Sequence, residues 1–261
     1  MSRRTVVITG GASGLGFAVA EAFVAEGDQV LLNGRSEAKL ASAAEALGEP
    51  DRVAVVAGDM TDPETADRII GAAVDRFGRV DVLVNNAGSF HTRPFTEYTL
   101  EELDGFLGYL RGTYVLSQAC VRQMRHQGDG GAIINISTIL ALNGVDGLPS
   151  SAPIAAKGGI TALTKNLSVE LAADNIRINA VAPGIVPTAL YGDLSDEQLE
   201  SLQQMQPLGR YGIPKDVADA VLYLANAEWV TGVILPVDGG VDAGGDGKYH
   251  GEIAGASSGN A

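Results

Sequence analysis

The chain has 261 residues, 46% of them hydrophobic, and carries a net charge of −14 with a pI near 4.5. That composition supports a sizeable core, and the acidic balance argues against nucleic acid or an anionic membrane surface as partner, since both require clustered Lys and Arg. The lone cysteine, Cys120, excludes an internal disulfide and a multi-cysteine metal site, so no metal is expected. The apolar run after the first arginines spans only Val6 to Ile8, and no stretch approaches the roughly 18 apolar residues of a membrane span. A soluble, cytoplasmic protein is expected.

In chain order, short β-branched runs alternate with longer helical patterns. The runs are Thr5 to Thr9, Val30 to Asn33, Val53 to Ala57, Val80 to Asn85, Ala132 to Ser137, Arg177 to Val181 and Val233 to Val237. Between them, apolar residues recur at helical spacing, as in Phe17, Ala20, Phe23 and Val24, and in Ile160, Leu163, Leu167 and Leu171. Near-continuously apolar strands separated by helices imply a parallel sheet covered on both faces. The expectation is a single doubly wound α/β domain, Rossmann-type, with a seven-stranded sheet over residues 1–240 and ligands beyond the carboxyl ends of the strands.

The first run ends directly in Gly10, Gly11, Gly14 and Gly16. Glycines there permit a tight turn and let N–H groups of the next helix approach a pyrophosphate, helped by the helix dipole. Taken alone, such a turn also fits an ordinary strand-to-helix connection. Its place after the first strand and before an Ala-rich helix favours a nucleotide.

With these motifs in view, the chain resembles the short-chain dehydrogenase/reductase family over about residues 4–240. T-G-G-A-S-G-L-G (Thr9 to Gly16) matches the family's phosphate-binding turn, and G-D-M-T-D (Gly58 to Asp62) its adenine-contacting segment. N-N-A-G (Asn85 to Gly88) is similar to the segment closing strand four, A-P-G-I-V-P-T (Ala182 to Thr188) to the loop that meets the nicotinamide, and V-D-G-G (Val237 to Gly240) to the closing strand. The resemblance implies cofactor contacts from Gly10, Ser13, Gly14, Leu15, Gly16, Asp59, Met60, Asn86, Ala87, Gly88, Lys157, Pro183, Gly184, Val186 and Thr188. It also implies a homodimer or homotetramer.

The end of the second strand reads Asn33, Gly34, Arg35, Ser36, with no carboxylate before Glu37. An acid there would bond the ribose hydroxyls of NAD, whereas arginine offers a planar fork to a 2′-phosphate. Arg35 and Ser36 therefore favour NADP(H) over NAD(H). A solvated Arg35, or one stacked on adenine, would permit NAD.

At the catalytic positions the resemblance breaks. The family's tyrosine is a general acid/base, with a lysine one helical turn later that lowers its pKa and binds the nicotinamide ribose. Here the motif reads P-I-A-A-K, so Lys157 is present and Pro153 stands where the tyrosine is expected. Proline has no titratable group and no N–H, though it is well tolerated at a helix start. The family's serine falls at Thr138, with Ser137 beside it as a rival, and its helix asparagine falls at Tyr109. The loop from Ile139 to Ala152 is lengthened.

Candidate replacement acids are Tyr109, His91, just after N-N-A-G-S-F, and Lys157 itself; Asp146, Asn143 and Tyr191 are further polar candidates. Each also has a structural reading as a packed tyrosine, a surface histidine or a turn residue. A substrate lid is expected over about residues 188–207, with Asp193, Asp196, Glu197 and Glu200 on its wet face. Phe90, Leu140, Leu142, Val145, Leu148, Ile185 and Leu190 would then line a largely apolar pocket. Residues 241–261 form a Gly-rich polar tail, flexible unless docked.

The leading expectation is an NADP(H)-dependent oxidoreductase acting on a carbonyl or alcohol with a non-standard proton donor. A non-redox enzyme retaining the cofactor as scaffold and a catalytically silent cofactor binder remain as alternatives.

Overall fold

The computed structural model describes residues 3–145, 147–188 and 195–244. Seven strands form one sheet: β1 (Thr5–Thr9), β2 (Gln29–Gly34), β3 (Val53–Ala57), β4 (Val82–Asn85), β5 (Gly131–Ile136), β6 (Ile176–Pro183) and β7 (Ile234–Val237). Their spatial order is β3-β2-β1-β4-β5-β6-β7, and every neighbouring pair is parallel. The seven runs read from the sequence all form strands, with ends that coincide or are displaced by one or two residues.

The period-2 geometry of a strand sends alternate residues to opposite faces, and both faces are buried. Val6, Ile8, Val30, Leu32, Val82, Val84 and Ile134 join one core layer, under α1 (Gly14–Ala25) and α7 (Pro214–Asn226). Val7, Leu31, Leu83, Ile133 and Ile178 join the other, under α3 (Pro63–Phe77) and α4 (Leu100–Gln127). Cys120 is fully buried in this second layer, where desolvation pushes its thiol up; it is a packing residue.

The remaining helices are α2 (Glu37–Leu47), α5 (Ser151–Glu170) and α6 (Asp196–Gln204). Caps set several boundaries. Ser36 accepts from the Lys39 N–H at 3.3 Å to start α2, and Thr99 with Glu102 forms a reciprocal capping box on α4. Since β1 and β4 are neighbours while the chain between them winds through β2 and β3, the sheet order reverses at that pair. A crevice therefore opens beyond the carboxyl ends of β1 and β4.

Candidate active site

β1 delivers the chain into the phosphate turn at that crevice. Gly10 and Gly14 adopt φ of +64° and +55°, in the left-handed region that only glycine enters freely. A Cβ on Gly16 would lie 2.3 Å from the Gly10 carbonyl oxygen, so the turn closes only around a bare Cα. Ser13, the N-cap of α1, spends no hydroxyl bond on the helix. Asn86 locks the turn to β4: its Nδ2 donates to the Thr9 carbonyl at 2.9 Å and the Gly10 carbonyl at 3.2 Å. In return the Thr9 hydroxyl oxygen accepts the N–H groups of Asn86 and Ala87, both at 3.0 Å.

The adenine-side expectations fall on one edge of the crevice. Asp59 accepts from the Thr61 N–H and hydroxyl at 2.9 and 2.8 Å, which fixes the turn around Met60, while Asn33 donates to the carbonyls of Val56 and Gly58, both at 3.1 Å. The Met60 carbonyl abuts α4, where a Cβ on Gly112 would come within 2.2 Å of it. Arg35 is exposed just past β2. Close by, a groove of about 410 Å³ between α1 and α2 is lined by Ser13, Phe17, Lys39 and Ala43, among others.

On the opposite edge β6 ends in Pro183. Gly184 then passes so close to Asp238 that a Cβ would meet its Cα at 2.7 Å. Ile185 and Val186 are buried, and Thr188 comes within 3.6 Å of the Cβ position of Gly14, bringing this loop across the phosphate turn. Leu190, Tyr191, Asp193 and Asp146 lie outside the described residues. Phe90, Leu140, Leu142, Val145 and Leu148 are each half-buried.

Lys157 sits in the middle. Its Nζ donates to the Ile136 carbonyl at 2.5 Å, and a Cβ on Gly88 would be 3.5 Å from the same nitrogen. Burial holds the ammonium down to about 8, because desolvation disfavours its charged form. One turn earlier, Pro153 is buried as the third residue of α5. The first intrahelical N–H is that of Ile154, bonded to the Ser150 carbonyl at 3.0 Å, so residue 153 would have no N–H partner inside the helix in any case. Pro153 therefore starts the helix without breaking it.

The structure separates the two rival hydroxyls. Ser137 is buried and pairs with the Thr161 hydroxyl at 2.8 Å on α5, whereas Thr138 is half-buried and accepts from the Leu140 N–H at 3.3 Å. His91 does not turn toward Lys157: its Nε2 meets Glu102 Oε1 at 3.2 Å, and its ring packs 4.9 Å from the Phe106 centroid. Phe106 in turn packs on Ala152 and Ala156, and so stands between His91 and α5. Tyr109 is half-buried on α4, one turn beyond Phe106.

Sequence reasoning missed two features. Glu102, which holds both His91 and Arg93, was legible as the fourth residue of the T-x-x-E capping pattern beginning at Thr99. Asn143, on the lengthened loop, donates to Asp242 at 2.6 Å, which docks the first residues of the expected tail; no local signal announces that pairing. Among the described residues, no group of three His, Cys, Asp or Glu side chains comes together as a metal site, and no helix is long and apolar enough to cross a membrane.

A seven-stranded parallel sheet with a glycine turn at its switch point defines a dinucleotide-binding α/β protein. The family model described as enoyl-(acyl carrier protein) reductase matches residues 10–242. The chain is 37% identical over 248 residues to the 3alpha-hydroxysteroid dehydrogenase of Mediterraneibacter gnavus, covering 92% of this chain and 97% of that protein. It is likewise 37% identical to the L-rhamnose 1-dehydrogenase (NAD(P)(+)) of a Sphingomonas species, covering 91% and 96%. The crystal structure of levodione reductase superposes with a TM-score of 0.86 at 32% identity, covering 92% of this chain and 98% of that one. A short-chain type dehydrogenase/reductase from Mycobacterium marinum gives 0.86 at 30% identity, covering 92% and 96%. The chain belongs to the short-chain dehydrogenase/reductase family, whose relatives here are oxidoreductases using nicotinamide cofactors.

Proposed function

We propose that the protein is an NADP(H)-dependent oxidoreductase that interconverts a carbonyl and an alcohol on a largely apolar small molecule, with a proton donor that does not lie at the head of α5. The single observation that carries this reading is Lys157, held beside Gly88 and the Ile136 carbonyl at the centre of the crevice, with Pro153 one turn before it. The glycine cradle supports a dinucleotide, since side chains at Gly10 or Gly16 would collide with Asn86 and with the backbone of Ala87 or Gly10 and spoil the tight turn that presents backbone N–H groups to a pyrophosphate. Bound NADP(H) supplies or accepts the hydride.

The chain's own residues hold the parts. The turn of Gly10, Ser13, Gly14, Leu15 and Gly16 receives the pyrophosphate, Arg35 and Ser36 the 2′-phosphate, and Asp59 and Met60 the adenine. Asn86, Ala87 and Gly88 back the central ribose region, Lys157 bonds the nicotinamide ribose, and Pro183, Gly184, Val186 and Thr188 border the nicotinamide. The Thr138 hydroxyl orients the carbonyl oxygen, the half-buried apolar residues of the Ile139–Ser150 loop shape the pocket, and about residues 188–207 cover it. Oligomerisation through the α4 and α5 face is part of the same reading. A groove of about 530 Å³ there is lined by Leu107, Leu110, Tyr114 and Leu163, among others, and Leu107 and Tyr114 are exposed.

Calorimetry with NADPH and NADH, followed in the same preparation by reduced-nicotinamide absorbance against ketones, quinones and alcohols, tests the reading. Tight NADPH binding with turnover is expected. Binding without any redox change across the panel would favour retention of the cofactor as a scaffold, and absence of binding would overturn the cofactor assignment.

A further inference from the structure

We infer that Tyr109 is the proton donor of this site: the phenol has moved from the head of α5 to the facing side of α4, where it serves the same lysine. The inference rests on the oxidoreductase reading above.

The direction of Tyr109 follows from what its helical neighbours touch. At about 100° per residue, position 109 falls between positions 106 and 112 around α4. Phe106 packs on Ala152 and Ala156, which immediately precede Pro153 and Lys157, so that side of α4 faces the start of α5. Gly112 abuts the Met60 carbonyl, so that side faces the cofactor-side turn after β3. Tyr109 is bracketed by these two directions, and its hydroxyl is assigned the space between them that Gly88 and Lys157 border. It shares this face with Leu116, which a full two turns further along is 1% exposed against the sheet.

The competing groups are committed elsewhere. His91 is bound by Glu102, has a side chain that is 45% exposed, and is screened from α5 by Phe106. The Ser137 hydroxyl pairs with Thr161 beneath the crevice. Lys157 is fastened to the Ile136 carbonyl, a position from which a cation stabilises a phenolate. Replacing a small polar side chain by tyrosine on α4, together with proline for the phenol on α5, exchanges the helix that supplies the acid while its chemistry is kept.

The step balances. The carbonyl carbon takes a hydride, with its bonding pair, from the reduced nicotinamide, which leaves oxidised. The C=O π pair forms a bond to the Tyr109 hydroxyl proton. The phenolate so formed regains a proton from solvent by way of the Lys157 ammonium.

The test compares wild type with Tyr109→Phe, which removes only the hydroxyl. Expected is a kcat for ketone reduction lower by about 10²- to 10⁴-fold, with NADPH affinity by calorimetry unchanged within about threefold, and recovery of turnover in the Tyr109→Phe/Pro153→Tyr double variant. A second readout is independent of activity: nitration of wild-type Tyr109 by tetranitromethane, followed by peptide mass, is suppressed by NADPH while the exposed Tyr223 reacts as before. Turnover of Tyr109→Phe within about threefold of wild type overturns the inference and leaves the oxidoreductase reading standing, and so does failure of NADPH to protect Tyr109. A wild type that binds NADPH, is protected at Tyr109 and turns over no ketone, quinone or alcohol overturns both.

Discussion

The Lys157 ammonium and the Ile136 carbonyl oxygen lie 2.5 Å apart, at the point where β5 delivers its last residue beneath α5. This one backbone acceptor is set against the desolvation that lowers the lysine from 10.5 to about 8. With a depressed folded pKa, the unfolded chain binds the extra proton between those values, so stability rises with pH across that window and the burial penalty is fully present below about 8. Urea midpoints of cofactor-free wild type and Lys157→Met, followed from about pH 7 to 10.5, should show wild type gaining relative to the variant as pH rises. A constant difference would mean that the ammonium is not desolvated.

Gly16→Ala should abolish NADPH binding and lower stability by about 1–3 kcal/mol, the usual cost of overpacking. The added methyl would sit 2.3 Å from the Gly10 carbonyl and 2.6 Å from Asn86 Nδ2, both already engaged in holding the turn to β4. Calorimetry and thermal unfolding check the two effects separately.

Arg35→Ala should weaken NADPH binding about 10- to 100-fold, the worth of a hydrogen bond to a charged group, while leaving NADH affinity nearly unchanged. Arg35 is exposed just past β2, beside the groove that Lys39 also lines, and its planar guanidinium offers the bidentate fork a phosphate takes. Equal losses for both cofactors would place Arg35 on the adenine instead.

Asn143→Ala removes the 2.6 Å bond to Asp242 that ties the Ile139–Ser150 loop to the chain beyond β7. Because this bond is exposed and involves a single acceptor, the melting temperature should hardly move. The loop should become more sensitive to limited proteolysis, and the KM for the carbonyl substrate should rise several-fold with kcat nearly constant. Asp242→Asn, which keeps an acceptor oxygen, should restore much of the lost affinity in comparison with Asp242→Ala.

The sequence by itself determined the strands, the helices and the sheet type, because these rest on local periodicity and on punctuation that any short window displays: Val6 to Ile8 is apolar on both faces, and the glycines at 10, 11, 14 and 16 mark the turn that follows. It also located Lys157 and exposed the proline four residues before it. Tertiary structure alone separated the two adjacent hydroxyls beyond β5, burying Ser137 against Thr161 of α5 and leaving Thr138 half-buried with its oxygen accepting the Leu140 N–H. It alone turned His91 to Glu102, set Tyr109 between the directions of Phe106 and Gly112, and joined Asn143 to Asp242. Each of these depends on how two elements distant in the chain are oriented, and that orientation is fixed by packing against a shared sheet, which no local pattern encodes.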